Sequence, residues 1–204
     1  IAHELRNPMA AIRNSTYFLK LKLEKDEKLF EHLDIIDREI SRSDEVIQRL
    51  LEITKGEDLK KTPTDLKTLA FEAMNYADIA NRSKLTVNFE SEHFLINVDK
   101  LLFRQVLFNI FLNSIQSMNE GGKIMMKISM TPTERVIITI SDQGKGINEN
   151  YLNKIFDPLY TDKEDGIGLG LSLCRDLISR HGGKISAKSK ISFGTTIEID
   201  IPST

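Results

Sequence analysis

An apolar residue recurs alternately every four and every three positions from Ala2 to about Ile53, and a repeat this strict leaves a chain few ways to fold. Leu5, Met9, Ile12, Thr16, Leu19 and Leu23 keep the spacing. After the polar break Glu24-Lys25-Asp26-Glu27-Lys28 it resumes at Leu29, Leu33, Ile36, Ile40, Ser43, Ile47 and Leu50. The alternation marks the a and d positions of a heptad and makes a narrow seam along a helix. Two such helices joined by a short polar turn form a hairpin. A lone hairpin covers its seam poorly, so either two hairpins pair into a four-helix bundle or the hairpin packs antiparallel on its own neighbouring domain.

The seam stops at Lys55-Gly56-Glu57-Asp58-Leu59-Lys60-Lys61, a charged, Gly-containing stretch with Pro63 just beyond, which reads as a boundary. Past it the periods mix. Asp65 to Asn81 and Asp99 to Met118 read as helices, each opened by an aspartate suited to N-capping. Lys84–Phe89, Lys123–Met130, Arg135–Ser141, Lys184–Ser189 and Thr195–Ile201 read as strands from alternation and β-branched content. Thr131-Pro132-Thr133-Glu134 reads as the turn of a hairpin. A last helix is expected from Gly170 to His181, ended by Gly182-Gly183. The expected chain is therefore α+β in two domains. Residues 1–56 form the helical hairpin, 57–62 a linker, and 63–204 an α/β sandwich with a mixed sheet and helices on one face.

Composition narrows the function. Of 204 residues, 40% are hydrophobic and 28% charged, enough for a core beneath a solvated surface, and the net charge of −2 gives no reason to expect nucleic acid as a partner. No apolar run approaches the ~20 residues that cross a bilayer. A single cysteine, Cys174, excludes an internal disulfide and fits a reducing, cytoplasmic setting. The chain opens on Ile1 without a signal peptide and reads as part of something longer. Any membrane contact is expected only through parts that precede Ile1.

Four strings carry chemistry. The first is His3-Glu4-Leu5-Arg6-Asn7-Pro8. With Leu5 at d, His3 falls at b, off the seam, with Asn7 one turn on along the same face. An exposed imidazole beside a carboxylate is equipped as a nitrogen nucleophile, Glu4 holding the ring tautomer and accepting its proton. The plainer reading is a solvated histidine with a charged neighbour. Pro8 inside a helix costs roughly 3 kcal/mol or more unless a kink is tolerated, which favours a site over mere scaffold.

Asn109 and Asn113 lie four apart on an otherwise apolar helix, where two amides are costly unless partnered. Their carbonyl oxygens suit a hard cation such as Mg²⁺ between phosphates, and amides that only pack helices are the alternative. In Asp142-Gln143-Gly144-Lys145-Gly146, a carboxylate at a strand end can accept from an adenine amino group, while the glycines admit close approach. Such a string also makes ordinary turns. Gly166-Ile167-Gly168-Leu169-Gly170-Leu171 leads straight into a helix whose free N–H groups form an anion site. It is neither a Walker motif nor a dinucleotide fingerprint. Between the last two lies Phe156-Asp157-Pro158-Leu159-Tyr160-Thr161-Asp162-Lys163, suited to close over a nucleotide with Lys163 near its terminal phosphate.

Each string alone is equivocal. In this order and spacing they resemble the H, N, G1, F and G2 boxes of sensor histidine kinases, whose ATP-binding half is shared with gyrase and MutL ATPases. The likeness covers nearly the whole chain and looks nearest to the nitrogen-regulation-like class, from His-Glu-Leu-Arg-Asn-Pro, Asn113-Ser114-Ile115-Gln116-Ser117-Met118 before Glu120-Gly121-Gly122, and the compact Thr161–Gly166 lid. The resemblance implies a two-component protein-histidine kinase using ATP and Mg²⁺. It makes His3 the phosphoacceptor, Glu4 its acid/base partner and Asn7 a holder of water for dephosphorylating the partner. It gives Asn109 and Asn113 to phosphates and Mg²⁺, and Asp142 to adenine, with Gly144 and Gly146 shaping the pocket. Phe156, Thr161, Lys163, Gly166, Gly168, Leu169 and Gly170 would cover the nucleotide. Thr195, in the Gly194-Thr195 box, would sit near adenine. Implied partners are a second copy, through the hairpin, and the receiver domain of a response regulator. Tyr17 and Phe18, at b and c of the heptad and so off the seam, are either an apolar anchor for that domain or, if the bundle buries a wider face, in part core.

Asp162 departs from the class, which usually has threonine there, and sets a negative charge near the phosphates; Ser114 replaces a common alanine. Cys174 reads as core, and His32, His93 and His181 as structural or surface residues. A gyrase-type ATPase without phosphohistidine is the rival reading, but it would resemble only the second domain. It would also want a glutamate on a helix where Phe108–Leu112 offers no carboxylate. A non-catalytic docking module is the third reading, and the complete set of boxes opposes it.

Overall fold

The computed structural model describes residues 2–22, 27–54, 58–76, 85–90, 94–118, 121–163 and 166–203; side chains are not described at 2–8, 22, 27, 42, 44–46, 48–54, 76 and 85–90. The chain divides into two compact units, Ile1–Gly56 and Glu57–Thr204.

The first unit is the expected helical hairpin, α1 (Ala2–Lys22) and α2 (Glu27–Thr54). The helix runs on through Pro8. Leu33, Ile40 and Ile47, seven residues apart on α2, are buried. Ile12, Leu19, Leu29 and Ile36, at the alternate seam positions, are exposed. One hairpin thus covers only half of its own seam. The polar member of that seam is satisfied across the pair: buried Thr16 donates from Oγ1 to Asp37 Oδ1 at 2.7 Å, and Lys20 bridges Asp37 and Asp34. The hydrogen bond from Lys20 holds the Asp37 carboxyl below its ordinary range. A buried polar pairing in an apolar seam fixes which residues face each other.

The second unit is built around α4 (Lys100–Ser117), whose apolar residues are largely buried. Phe103, Val106, Leu107, Ile110, Phe111 and Ile115 are buried. α3 (Leu66–Tyr76) and α5 (Gly170–Arg180) flank it. Beneath them lies a five-stranded sheet in the order β2-β4-β5-β7-β6, made of β2 (Leu85–Glu90), β4 (Gly122–Met130), β5 (Arg135–Asp142), β6 (Lys184–Lys190) and β7 (Gly194–Pro202). β2 runs parallel to β4 and the other pairs are antiparallel, so the sheet is mixed. Alternate residues Ile124, Met126 and Ile128, Val136, Ile138 and Ile140, and Ile197, Ile199 and Ile201 are buried. The intervening residues are polar except Met125 and Ile137, with Arg135 bonded to Asp200 at 2.6 Å.

Both capping aspartates act as expected. Asp99 accepts from Leu101 N and Leu102 N, and Asp65 from Thr68 N. Two strands escape the sequence reading. β1 (Lys61–Asp65) begins inside the stretch that reads as linker and pairs antiparallel with β3 (Leu95–Asp99). Pro63 and the lysines hid β1, since a two-stranded edge ribbon tolerates both. The expected helix past Tyr76, the polar turn after Leu23 and His93 lie outside the described residues. No helix among the described residues is long and apolar enough to cross a membrane.

His181 is a core fastener. It is buried, bonds Leu177 O through Nδ1 at 2.7 Å, accepts from Asp99 N through Nε2 at 3.0 Å, and meets Phe103 edge-on. Accepting at Nε2 requires the neutral ring with its proton on Nδ1. Burial lowers its pKa from the ordinary 6.5. Because the unfolded chain takes the proton first, this contribution is full above that value and fades as pH falls below it. His181→Gln should lose about 1–3 kcal/mol at pH 7.5, with the gap to wild type narrowing in urea melts toward pH 5. A gap that does not change with pH would contradict this role.

Candidate functional site

Four polar residues line one face of α4 at its C-terminal half: Asn109, Asn113, Gln116 and Ser117, spaced four, three and one. Asn109 is buried and Asn113 half-buried. Opposite them α5 begins at Gly170. A Cβ built there would lie 3.8 Å from Asn109 Oδ1 and 4.0 Å from Asn113 Nδ2, in ordinary contact, so no neighbour demands the glycine. Glycine there leaves room for about a methyl group beside the two amides at the helix N-terminus. The residue before α5, Leu169, is fully buried and makes no side-chain capping bond. Among the described residues no side chain caps this N-terminus, so its first-turn N–H groups suit an anion.

Lys163 enters from the segment before the glycines. Its Nζ donates to Asn113 Oδ1 at 3.0 Å and Gln116 Oε1 at 2.6 Å. Burial pushes this ammonium's pKa down, against the opposing pull of Asp162. Two neutral amide oxygens therefore already hold a cation. Thr161 is exposed and accepts from Lys163 N at 3.1 Å, Phe156 is buried, and Gly166 and Gly168 pack against Thr161 and the Leu159–Tyr160 backbone.

At the other end of the polar face, three chain segments meet on one oxygen. Asp142, ending β5, accepts through Oδ1 from Gly144 N at 2.9 Å and Thr195 N at 3.1 Å, and lies 3.3 Å from Ser117 Oγ, which shares its proton with Ser114 O at 2.8 Å. Among the described residues Oδ2 has no hydrogen-bond partner, so the carboxylate is held by one oxygen and offers the other. The closeness dictates glycine twice. A Cβ on Gly144 would lie 1.9 Å from Ser117 Oγ, and Gly194, at φ 96°, would place one 1.9 Å from Asp142 O. Gly146 lies against Lys190 O. Buried Thr195 is steadied by Ser189, whose Oγ pairs with Thr195 Oγ1 at 2.9 Å, donates to Gly194 O and accepts from Ile147 N.

The structure thus brings Asn109, Asn113, Lys163 and Gly170 together at one end of α4's polar face, and Asp142, Gly144 and Thr195 at the other. Sequence reasoning passed over Gln116 and Ser117, though their spacing from Asn113 puts them on its face. It also passed over Lys145, quoted only as filler, and Ser189, which nothing in the sequence marks. Cys174 faces Val106 O at 3.7 Å and Asn109, its thiol pushed up by burial to about 12, so it is inert packing. Among the described residues no group of three or more His, Cys, Asp or Glu could hold a metal. His3, Glu4 and Asn7 lie on α1, with side chains outside those described.

Comparison with known proteins covers both units. The model of the histidine kinase-, DNA gyrase B-, and HSP90-like ATPase family matches residues 98–204, and that of the His Kinase A (phospho-acceptor) domain matches 1–59. The sensor histidine kinase ZraS of Salmonella typhimurium is 32% identical over 99% of this chain, which spans 44% of that protein. This chain spans less than half the length of the curated relatives it matches. The structure of histidine kinase ThkA in complex with response regulator protein TrrA matches all of this chain and 60% of that one, at 30% identity and a TM-score of 0.73. Full-length ShkA in complex with AMPPNP shares the fold, with a TM-score of 0.78 at 20% identity over 98% of this chain and 44% of that one. With a phospho-acceptor domain on the hairpin and an ATPase domain on the sandwich, the chain belongs to the histidine kinases and carries their catalytic core.

Proposed function

We propose that this chain uses Mg²⁺·ATP to phosphorylate His3 and passes the phosphoryl group to an aspartate of a response regulator. The carrying observation is the meeting, at Gly170, of two amides, a helix N-terminus whose N-cap leucine makes no side-chain bond, and a lysine held by one of those amides. That is the chemistry of a polyphosphate seat. Asp142 Oδ2 accepts from the adenine amino group, with Thr195, Gly144 and Gly146 beside it; Phe156, Thr161, Gly166, Gly168 and Leu169 shape the cover. Asn113, with Asn109, holds the divalent cation. The fit rests on Asn113 Oδ1, which already accepts from an ammonium. The cation's share is to neutralise charge on the phosphates.

A His3 nitrogen attacks the γ-phosphorus, the N–P bond forms and the β–γ bridging P–O bond breaks, its electrons leaving with ADP. Glu4 holds the proton on the other ring nitrogen. Asn7, a turn away, orients the water that later hydrolyses the regulator's aspartyl phosphate. A homodimer follows from the half-covered seam: exposed Ile12, Leu19, Leu29 and Ile36 need a second hairpin. Tyr17 and Phe18, exposed off the seam, suit the receiver domain of a response regulator, the class of partner ThkA is seen with. Membrane attachment, where it exists, belongs to parts outside this sequence.

Four variants test the reading. Gly144→Ala should cost about 1–3 kcal/mol of folding stability by overpacking. Gly170→Ala should melt like wild type yet lose at least ~10-fold in ATP affinity by calorimetry, since the methyl fills the phosphate space; unchanged affinity would remove the phosphate seat. His3→Ala should bind ATP within a few-fold of wild type while accepting no phosphoryl group. If binding is lost with labelling, the two units do not divide the work. Asp142→Asn should weaken ATP and blunt preference over GTP, because the amide can present a donor to the adenine amine, a mismatch of roughly 1–3 kcal/mol. Full retention of both would move adenine elsewhere.

A further inference from the structure

Asp162 is a carboxylate in a segment suited to phosphates, and the nucleotide reading gives it no task. Its Oδ2 accepts from Lys145 Nζ at 2.5 Å. That hydrogen bond holds the Asp162 carboxyl below its usual range. The side chains are 58% and 62% exposed, and an ion pair so solvated contributes little to folding. Its effect lies in what it joins. Asp162 and Lys163 are adjacent, yet they grip different walls: Asp162 the loop after β5, Lys163 the amides on α4.

Lys145 is a firm post. Its N donates to Ser117 O at 3.1 Å, and its O accepts from Ser192 N at 2.8 Å, which ties its backbone to the end of α4 and to the β6–β7 turn. Lys163, by contrast, is half-buried, and among the described residues its ammonium donates to two neutral amides. A lysine loses hydration in such a place and would otherwise extend into water. Something must carry the segment across to α4, and the charge pair beside it does so.

We propose that Lys145 and Asp162 are a positioning pair for nucleotide binding: their ion pair straps Thr161–Lys163 to the loop after β5 and sets the Lys163 ammonium over Asn113 and Gln116, where the terminal phosphate takes it over. The proposal rests on the nucleotide reading above. It turns Asp162 from a repulsive neighbour of the phosphates into the anchor of the lysine that meets them.

The test compares wild type, Lys145→Gln, Asp162→Asn and the swapped double variant Lys145→Asp/Asp162→Lys. Binding of N-methylanthraniloyl-ATP and -ADP with Mg²⁺ is followed by fluorescence, and melting temperature serves as control. Both single variants should bind the triphosphate about three- to five-fold more weakly, the scale of an exposed pair. The diphosphate should suffer less, because Lys163 meets the terminal phosphate. The swap should restore triphosphate affinity, and ~0.5 M salt should level the differences. Simple charge near the phosphates predicts the reverse for Asp162→Asn, tighter binding. That result, or a swap that fails to restore affinity while melting normally, overturns the strap. If wild type binds neither analogue, the nucleotide reading falls and the proposal with it.

Discussion

One carboxylate oxygen holds the second unit's working end together. Asp142 Oδ1 takes a hydroxyl from the last turn of α4, an amide from the loop after β5 and an amide from the start of β7. Two amide donors and a shared hydroxyl on one oxygen are a strong, charge-assisted constraint, and they go with the close approach that only glycine at 144 and 194 permits. The second oxygen is left presented at the site. The buried face of the sheet fixes where α4 lies, α4 fixes Ser117, and Ser117 helps fix Asp142. Packing thus ends in an oriented acceptor.

The same helix carries the other half of the chemistry. Asn109, Asn113 and Ser117 lie on or beside the buried face of α4, where an amide or hydroxyl without a partner loses hydration without return, while Gln116 is exposed. Ser117 finds Asp142, while Asn113 and Gln116 find Lys163. Asn109 lies beside Cys174 and the space at Gly170. A helix placed by apolar packing therefore delivers a row of amides at helical spacing, one turn per functional group, to the N-terminus of α5. In the first unit the balance is reversed. A Thr16–Asp37 pairing sets the register, and the remainder of the seam is exposed.

Much of this was legible in the sequence because it rests on period. The heptad spacing gave the hairpin, alternation gave the five main strands, and aspartates at 65 and 99 marked the helix starts. The site strings stood out because polar or glycine residues interrupt apolar runs. What hid from the sequence depended on contacts between distant segments. β1 and β3 make a two-stranded ribbon whose lysines and Pro63 read as linker. Ser189 stabilises Thr195 through a hydroxyl that no local pattern distinguishes. Lys145 gained meaning only when Asp162, 17 residues on, was found against it. Asp162 itself looked like a departure, and the ion pair supplies its reason.

The central claim is that the nucleotide held beside α4 gives its γ-phosphoryl to a nitrogen on α1. The direct measurement is incubation with γ-labelled ATP and Mg²⁺, followed by acid and alkali treatment and mapping of the labelled peptide. The account predicts label on the protein that survives alkali, is lost in acid, and maps to the peptide bearing His3. Free labelled phosphate with no label on the chain would instead make the second unit an ATPase, and acid-stable label, or label mapping to any other residue, would contradict the assignment of His3.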